Sequence, residues 1–499
     1  MKKGNQQSYF YNSLLFMRKI FFYLFFVVLS GLFAHADPLS PRNDQVCLRL
    51  DNNIQLIIDE RIELVCTVFR LAGAQEYINY QLFDYISEVD DFVYNNKDHP
   101  IISFIKDIRD NYNFAYSIVA KSALMVKIVN GNIVYDNAWN LKKTFSEEYE
   151  QCWTEDIFRE YVGLLDDFYK KSNFHLFFIS HFQFYEKIVE ESAKTISKIN
   201  VPVLEQYYQR RVFPVDLYLG LSTGNNNYSI PGINNQKQWN KHLAIVIGVE
   251  YENNSVPSIS NNQIYTIVHE ISHFFVSPLI EKTFRHFSSE METVFSVVKN
   301  DMYSLGYSSA RGVAGEWINE IFSIRYFIAT AEDKNNIDEY IAENEERGFI
   351  WFGKAIDETI LNCHENSVSE SLSKIIQFAK SLPSRWETIQ AEYLSKKPFI
   401  IDIQPSFKEI SSKTKMIKVI FSESMMMGIS GMLKLPDYPM IPAEFPSCHW
   451  ENDTTFVIKL NSDMLISENE FGVRFPYYSF VSKTHYRMKD NYDMIFKVQ

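Results

Sequence analysis

The chain has 499 residues, 46% of them hydrophobic and 22% charged, with 40 Phe and 30 Tyr. That composition fits two or three packed domains and excludes extended disorder. The formal net charge is −13 and no Lys/Arg cluster interrupts the acidic balance, which excludes a nucleic-acid partner, because neutralising phosphates needs concentrated positive charge.

The chain begins with an expected export signal. Met17-Arg18-Lys19 is a short basic start, Ile20 to Phe33 is apolar, and Ala34-His35-Ala36 places small residues at a cleavage site. Residues 1–36 are therefore expected to be a signal peptide cut after Ala36. The apolar run is too short to span a bilayer comfortably, so no stable membrane span is expected after its removal. The mature protein is expected to be secreted, or to reside in the periplasm or cell envelope.

Residues 37–211 read as a helical N-terminal region. Ile62, Val65, Phe69 and Ala72 recur at helical spacing, and the pattern resumes over Phe83–Val93, Ile101–Ile108, Glu155–Tyr169 and Phe174–Ser197. The five cysteines (Cys47, Cys66, Cys152, Cys363 and Cys448) are scattered without a C-x-x-C pair. A disulfide framework and a cysteine zinc site are both unexpected.

From 212 to 395 the character changes. Phe213–Leu221 and His242–Glu250 are short, apolar and bounded by turn residues, so a small sheet is expected. The loop between them holds Gly224-Asn225-Asn226-Asn227-Tyr228. Ser258, Ser260 or Asn261 could cap the helix that follows, and Pro278 is expected to end it.

That helix carries His269, Glu270 and His273 as H-E-x-x-H. Imidazoles four residues apart lie on one helix face, about one turn from each other, where both can bind one zinc ion. Glu270 is placed to act as general base toward the attacking water. A catalytic zinc needs a third protein ligand. Glu316 and Glu320 lie four apart in a downstream helix, Gly312–Thr330, and either could serve. Glu320 is the expected ligand, because apolar Ile321, Phe322 and Ile324 would bury its helix against the motif helix and a buried carboxylate needs a partner. Tyr303, Tyr307, Arg311, Arg325 and Tyr326 are candidates for stabilising the oxyanion. His242–Glu250 is the candidate strand for pairing with an extended peptide substrate. Further helices are expected over Glu281–Tyr307, Ile337–Ile360 and Ser367–Ser381.

After about 395 come short apolar or alternating runs: Phe399–Ile403, Met416–Ser422, Thr455–Leu460, Glu470–Phe475 and Met494–Val498. Regular short strands over about a hundred residues suggest a β-sandwich over 396–499.

The segment His269 to Phe275, with Ser277-Pro278 after it and Asn319-Glu320 downstream, resembles the gluzincin metallopeptidases. Within these it is similar to an uncharacterised family of secreted bacterial proteins. That likeness extends to Arg61–Tyr77 and to Gly224–Tyr228, and covers roughly residues 50–380. Ile403–Pro405, Val419–Met425, Trp450 and Thr455–Leu460 resemble bacterial Ig-like domains, which usually act as spacers or attachment modules.

The expected fold is thus α+β and mostly helical, with a zincin-like catalytic region followed by an Ig-like β-sandwich. The expected activity is that of a secreted zinc metallopeptidase acting on a peptide or protein substrate. His269, His273 and Glu320 would hold Zn2+, with Glu270 catalytic. Two other readings are an envelope binding or structural protein with a vestigial zinc site, and a zinc amidase acting on cell-wall material.

Overall fold

Ile54–Asp59 is a run of six residues of which five are buried, the signature of a strand covered on both faces rather than of an alternating one. In the computed structural model this run is β2, paired antiparallel with β1 (Gln45–Arg49). The structure describes residues 44–78, 83–112, 114–137, 139, 154–212, 214–231, 243–251, 256–330, 334–361, 368–406, 410–428, 430–442, 448–467 and 469–499. The expected signal segment 1–36, His242, Cys152 and Cys363 lie outside them.

The chain is a mixed α+β protein, more than half helical. It divides into two compact units between Phe274 and Phe275.

In the first unit, β2 is followed by helices α1 (Glu60–Leu71), α2 (Gln75–Ile78), α3 (Phe83–Val93), α4 (Pro100–Tyr112) and α5 (Ser117–Leu124). A hairpin of β3 (Val126–Val129) and β4 (Asn132–Tyr135) comes next, then α6 (Glu155–Ser172), α7 (Phe174–Ser180), α8 (Phe182–Ile196) and α9 (Val201–Tyr208). The chain then returns to the sheet with β5 (Val215–Gly220), β6 (Asn227–Pro231) and β7 (Leu243–Gly248). The strand order is β1-β2-β5-β7-β6. β2, β5 and β7 run parallel, while β1 and β6 are antiparallel to their neighbours.

Residues 37–211 were expected to be helical, yet β1 and β2 belong to the sheet that β5 and β7 complete. The helices α1–α9 are enclosed between two adjacent strands. Strand β7 was the candidate to pair with substrate. It is internal, with all six residues buried and a ladder on each side. Among the described residues the terminal strands of the sheet are β1 and β6.

Helix α1 fixes the chain just beyond β5. Its Glu63, 1% exposed, accepts hydrogen bonds from the Leu221 amide (2.7 Å), the Ser222 hydroxyl (2.7 Å) and the Tyr85 hydroxyl (3.1 Å). Burial raises its carboxyl pKa against the pull of these donors. Gly224 follows at φ +65°, a left-handed backbone that glycine adopts without a Cβ penalty. The end of β7 passes close by: a Cβ on Gly248 would stand 2.2 Å from the Gly224 carbonyl oxygen.

Helix α10 (Gln263–Thr283) carries the H-E-x-x-H segment. It was expected to stop at Pro278 and instead runs five residues further. Proline lacks one backbone donor, so the helix loses one internal hydrogen bond at that turn; the turns on either side retain theirs.

In the second unit, helices α11 (Ser288–Ser304), α12 (Ala310–Ala329), α13 (Lys334–Glu346), α14 (Phe352–Ile356) and α15 (Val368–Ser395) come first. A left-handed Gly348 at φ +107° breaks the expected helix Ile337–Ile360 just after α13. The strands follow as β8 (Ile400–Gln404), β9 (Met416–Phe421), β10 (Leu433–Lys434), β11 (His449–Asn452), β12 (Thr455–Lys459), β13 (Glu470–Phe475) and β14 (Tyr492–Lys497). They form two antiparallel sheets, β11-β12-β9-β8 and β10-β13-β14. One core cluster draws Val419, Phe421 and Ile458 from the first sheet and Val473, Phe475 and Phe496 from the second.

Candidate functional site

The start of α10 is set by a reciprocal cap. Ser260 Oγ accepts from the Gln263 amide at 3.4 Å, and Gln263 Oε1 accepts from the Ser260 amide at 2.9 Å. This is the capping-box exchange, with glutamine in the acidic role. Of the three candidate caps, Ser260 is the one that makes it. Gln263 also donates from Nε2 to the Gly248 carbonyl oxygen at 2.6 Å. A single side chain thereby caps the motif helix and ties it to the last residue of β7.

Two turns into α10, the helical spacing does what the sequence predicts. His269 and His273 face each other with their Nε2 atoms 3.0 Å apart and their rings nearly perpendicular. His269 is 8% exposed and Glu270 is 9% exposed; His273 is half-buried. Two nitrogens this close share a point about 2 Å from each, the usual zinc–imidazole distance.

Ser309 caps α12 by accepting from the Gly312 amide at 3.2 Å. Both candidate carboxylates lie on this helix, and the structure separates them. Among the described residues, His269, His273 and Glu316 form the group in which one ligand atom from each lies within 4.8 Å of the others. Glu320, the expected third ligand, has a different environment. It is 3% exposed, accepts from the Tyr340 hydroxyl and pairs with Arg347 Nη1 at 3.2 Å. A buried carboxylate needs partners, and those of Glu320 include an arginine and a phenol. The half-buried Glu316 is the carboxylate beside the histidines.

Of the oxyanion candidates, Tyr307 donates a hydrogen bond to Glu316 and lies 3.5 Å from Arg347 Nη2. Burial, then the Glu316 charge, pushes its phenol well above the ordinary tyrosine range, so it remains a donor at any physiological pH. Tyr303 is 55% exposed and Tyr326 is 5% exposed; Arg311 is exposed and Arg325 half-buried. Reading the sequence did not single out Tyr340 or Arg347. They stand 20 and 27 residues beyond Glu320, and no motif spacing connects them to it.

The donor set suits zinc. Two imidazole nitrogens and one carboxylate oxygen are borderline-hard ligands that zinc accepts, and three protein ligands are what a catalytic zinc site uses. Comparison of the chain with known protein families, curated proteins and solved structures finds no match. No helix among the described residues is long and apolar enough to cross a membrane.

Proposed function

We propose that the protein is an exported zinc metallopeptidase with a gluzincin-like site built from His269, His273 and Glu316. The observation that carries this reading is the convergence of those three side chains around a helix that also presents Glu270. A zincin-like sheet-and-helix core and an Ig-like C-terminal sandwich are parts of the same reading. The five-stranded sheet tied to α10 supports the first. The two antiparallel sheets over one core support the second.

Zinc, when bound, supplies Lewis-acid polarisation of a carbonyl and makes water more acidic. The chain's own residues do the rest. Glu270, next to His269 and nearly excluded from solvent, takes the proton of the attacking water and passes it to the leaving amine. Tyr307 orients Glu316 through its hydroxyl. Main-chain pairing with an extended peptide falls to β6, since β7 has no open edge.

The test combines metal analysis with hydrolysis of a peptide library. Wild type should hold one zinc per chain. Glu270→Gln should keep the metal and lose cleavage by roughly 100-fold or more. Glu316→Ala should lose the metal, and Glu320→Ala should weaken it less. Stoichiometric zinc without Glu270-dependent peptide cleavage would sink the peptidase reading. Peptidoglycan fragments in the same assay distinguish a cell-wall amidase.

A further inference from the structure

Helix α13 connects two clusters of charge in the second unit. From the middle of the helix Tyr340, and from just past its end Arg347, reach Glu320; Arg347 also reaches Tyr307, which in turn holds Glu316. The two residues just before Arg347 engage the C-terminal strand region instead. Glu345, 1% exposed, accepts from Lys396 Nζ at 2.8 Å and from the Tyr486 hydroxyl at 2.7 Å. Glu346 pairs with Lys397 and accepts from the Arg487 amide at 3.3 Å.

Of these contacts the Lys397–Glu346 pair is buried on both sides, and Glu345 is a buried acceptor for a partly exposed Lys396. The side chains of Lys397 and Glu346 are 7% and 9% exposed, so removing one leaves the other as an uncompensated buried charge. The Gly353 amide donates to Glu345 Oε1 at 3.0 Å, and a Cβ on Gly353 would stand 2.6 Å from that oxygen. A spacer domain on a linker needs neither a buried ion pair nor a buried carboxylate tied to it. Glu345, Glu346 and Arg347 are consecutive, so whatever fixes the first two fixes the backbone that aims the third.

We propose that the C-terminal β region is part of the metal site's support. By clamping the end of α13 it sets Arg347 and Tyr340 against Glu320 and Tyr307, and so orients Glu316. Arg347 is a positioning residue in this scheme. The inference rests on the metal-site reading above. It adds that zinc affinity depends on residues of the strand region. Groups that orient a ligand from behind typically govern 10–100-fold in metal affinity.

The experiment measures the zinc dissociation constant of the full-length protein by competition with a chelator, alongside the melting temperature of the metal-free form. Arg347→Met should weaken zinc about 10–100-fold. Arg347→Lys keeps a charge for Glu320 but lacks the planar fork that also reaches Tyr307, and should fall between. Lys397→Met should weaken zinc at least about threefold and speed amide hydrogen exchange over 310–320 in the metal-free protein. Zinc affinities of Arg347→Met and Lys397→Met within twofold of a zinc-binding wild type would overturn the proposal while leaving the metal site intact. Wild type binding zinc no more tightly than His269→Ala would overturn the metal reading and this inference together. Should Lys397→Met fail to fold, the order Arg347→Met, Arg347→Lys, wild type decides, and a flat series refutes.

Discussion

Replacing Gln263 by alanine tests how the motif helix is held. The change deletes two hydrogen bonds, from the Ser260 amide and to the Gly248 carbonyl. It strands a donor and an acceptor in buried residues, Ser260 being 2% exposed. Each stranded group costs about 1–3 kcal/mol. With partial relaxation the pair costs about 3 kcal/mol of local stability. At about 1.4 kcal/mol per decade, the first turns of α10 should exchange amide hydrogens about 100-fold faster. Hydrogen exchange suits the question better than a global melt, because a chain of two units need not unfold in one step. Gln263→Glu keeps an acceptor for the Ser260 amide but cannot donate to Gly248, so about half the effect is expected. An increase below threefold for Gln263→Ala would refute the argument that this side chain docks the helix.

Three further outcomes follow from the first unit. Burial pushes the Glu60 carboxyl up to about 7 from 4.5, against the opposing pull of His175 and Tyr169. An acid with a raised pKa contributes stability that is full below about 4.5 and is lost as pH rises through about 7, by up to roughly 3 kcal/mol. Glu60→Gln should therefore gain on wild type between pH 5 and pH 8 in denaturant midpoints, and a pH-independent difference would count against it. Gly248→Ala drives a Cβ to 2.2 Å from the Gly224 carbonyl oxygen and should cost about 2 kcal/mol or more. Gly163→Ala, inside α6 with open space around it, should stabilise by about 0.5–1 kcal/mol in the same denaturant midpoints.

The strands of the second unit were legible as short alternating or apolar runs separated by turn residues. Glu470–Phe475 is found as read, and Met416–Phe421 and Thr455–Lys459 are each found to within one residue. The short β10 and β11 were missed, since two to four mostly exposed residues leave no period to detect. In the first unit, β1 and β2 were lost in a helical reading: β2, with five of its six residues buried, has no alternation to show, and β1 is only five residues long with one of them buried. The motif histidines were legible because a fixed helical spacing decides where they point. The carboxylate that stands beside them was not. Glu316 and Glu320 share a face, the apolar residues after Glu320 favoured it as the ligand, and what draws it away is Arg347, far along the chain. The choice between them is a tertiary fact that no local pattern encodes.

The insertion of α1–α9 between adjacent strands has a consequence for synthesis. Ile54 of β2 pairs with Val215 of β5, so β2 emerges from the ribosome long before its parallel neighbour exists. At typical elongation rates of about 5–20 residues per second, the wait is roughly ten to thirty seconds. Throughout it, a strand whose Ile54, Leu56 and Ile58 end fully buried has β1 alone to pair with. An apolar edge left open that long invites pairing with other nascent chains. A chaperone that shields extended apolar segments should therefore raise the yield of this protein more than one that acts on finished domains. Slowing translation between residues 60 and 210 should lower it.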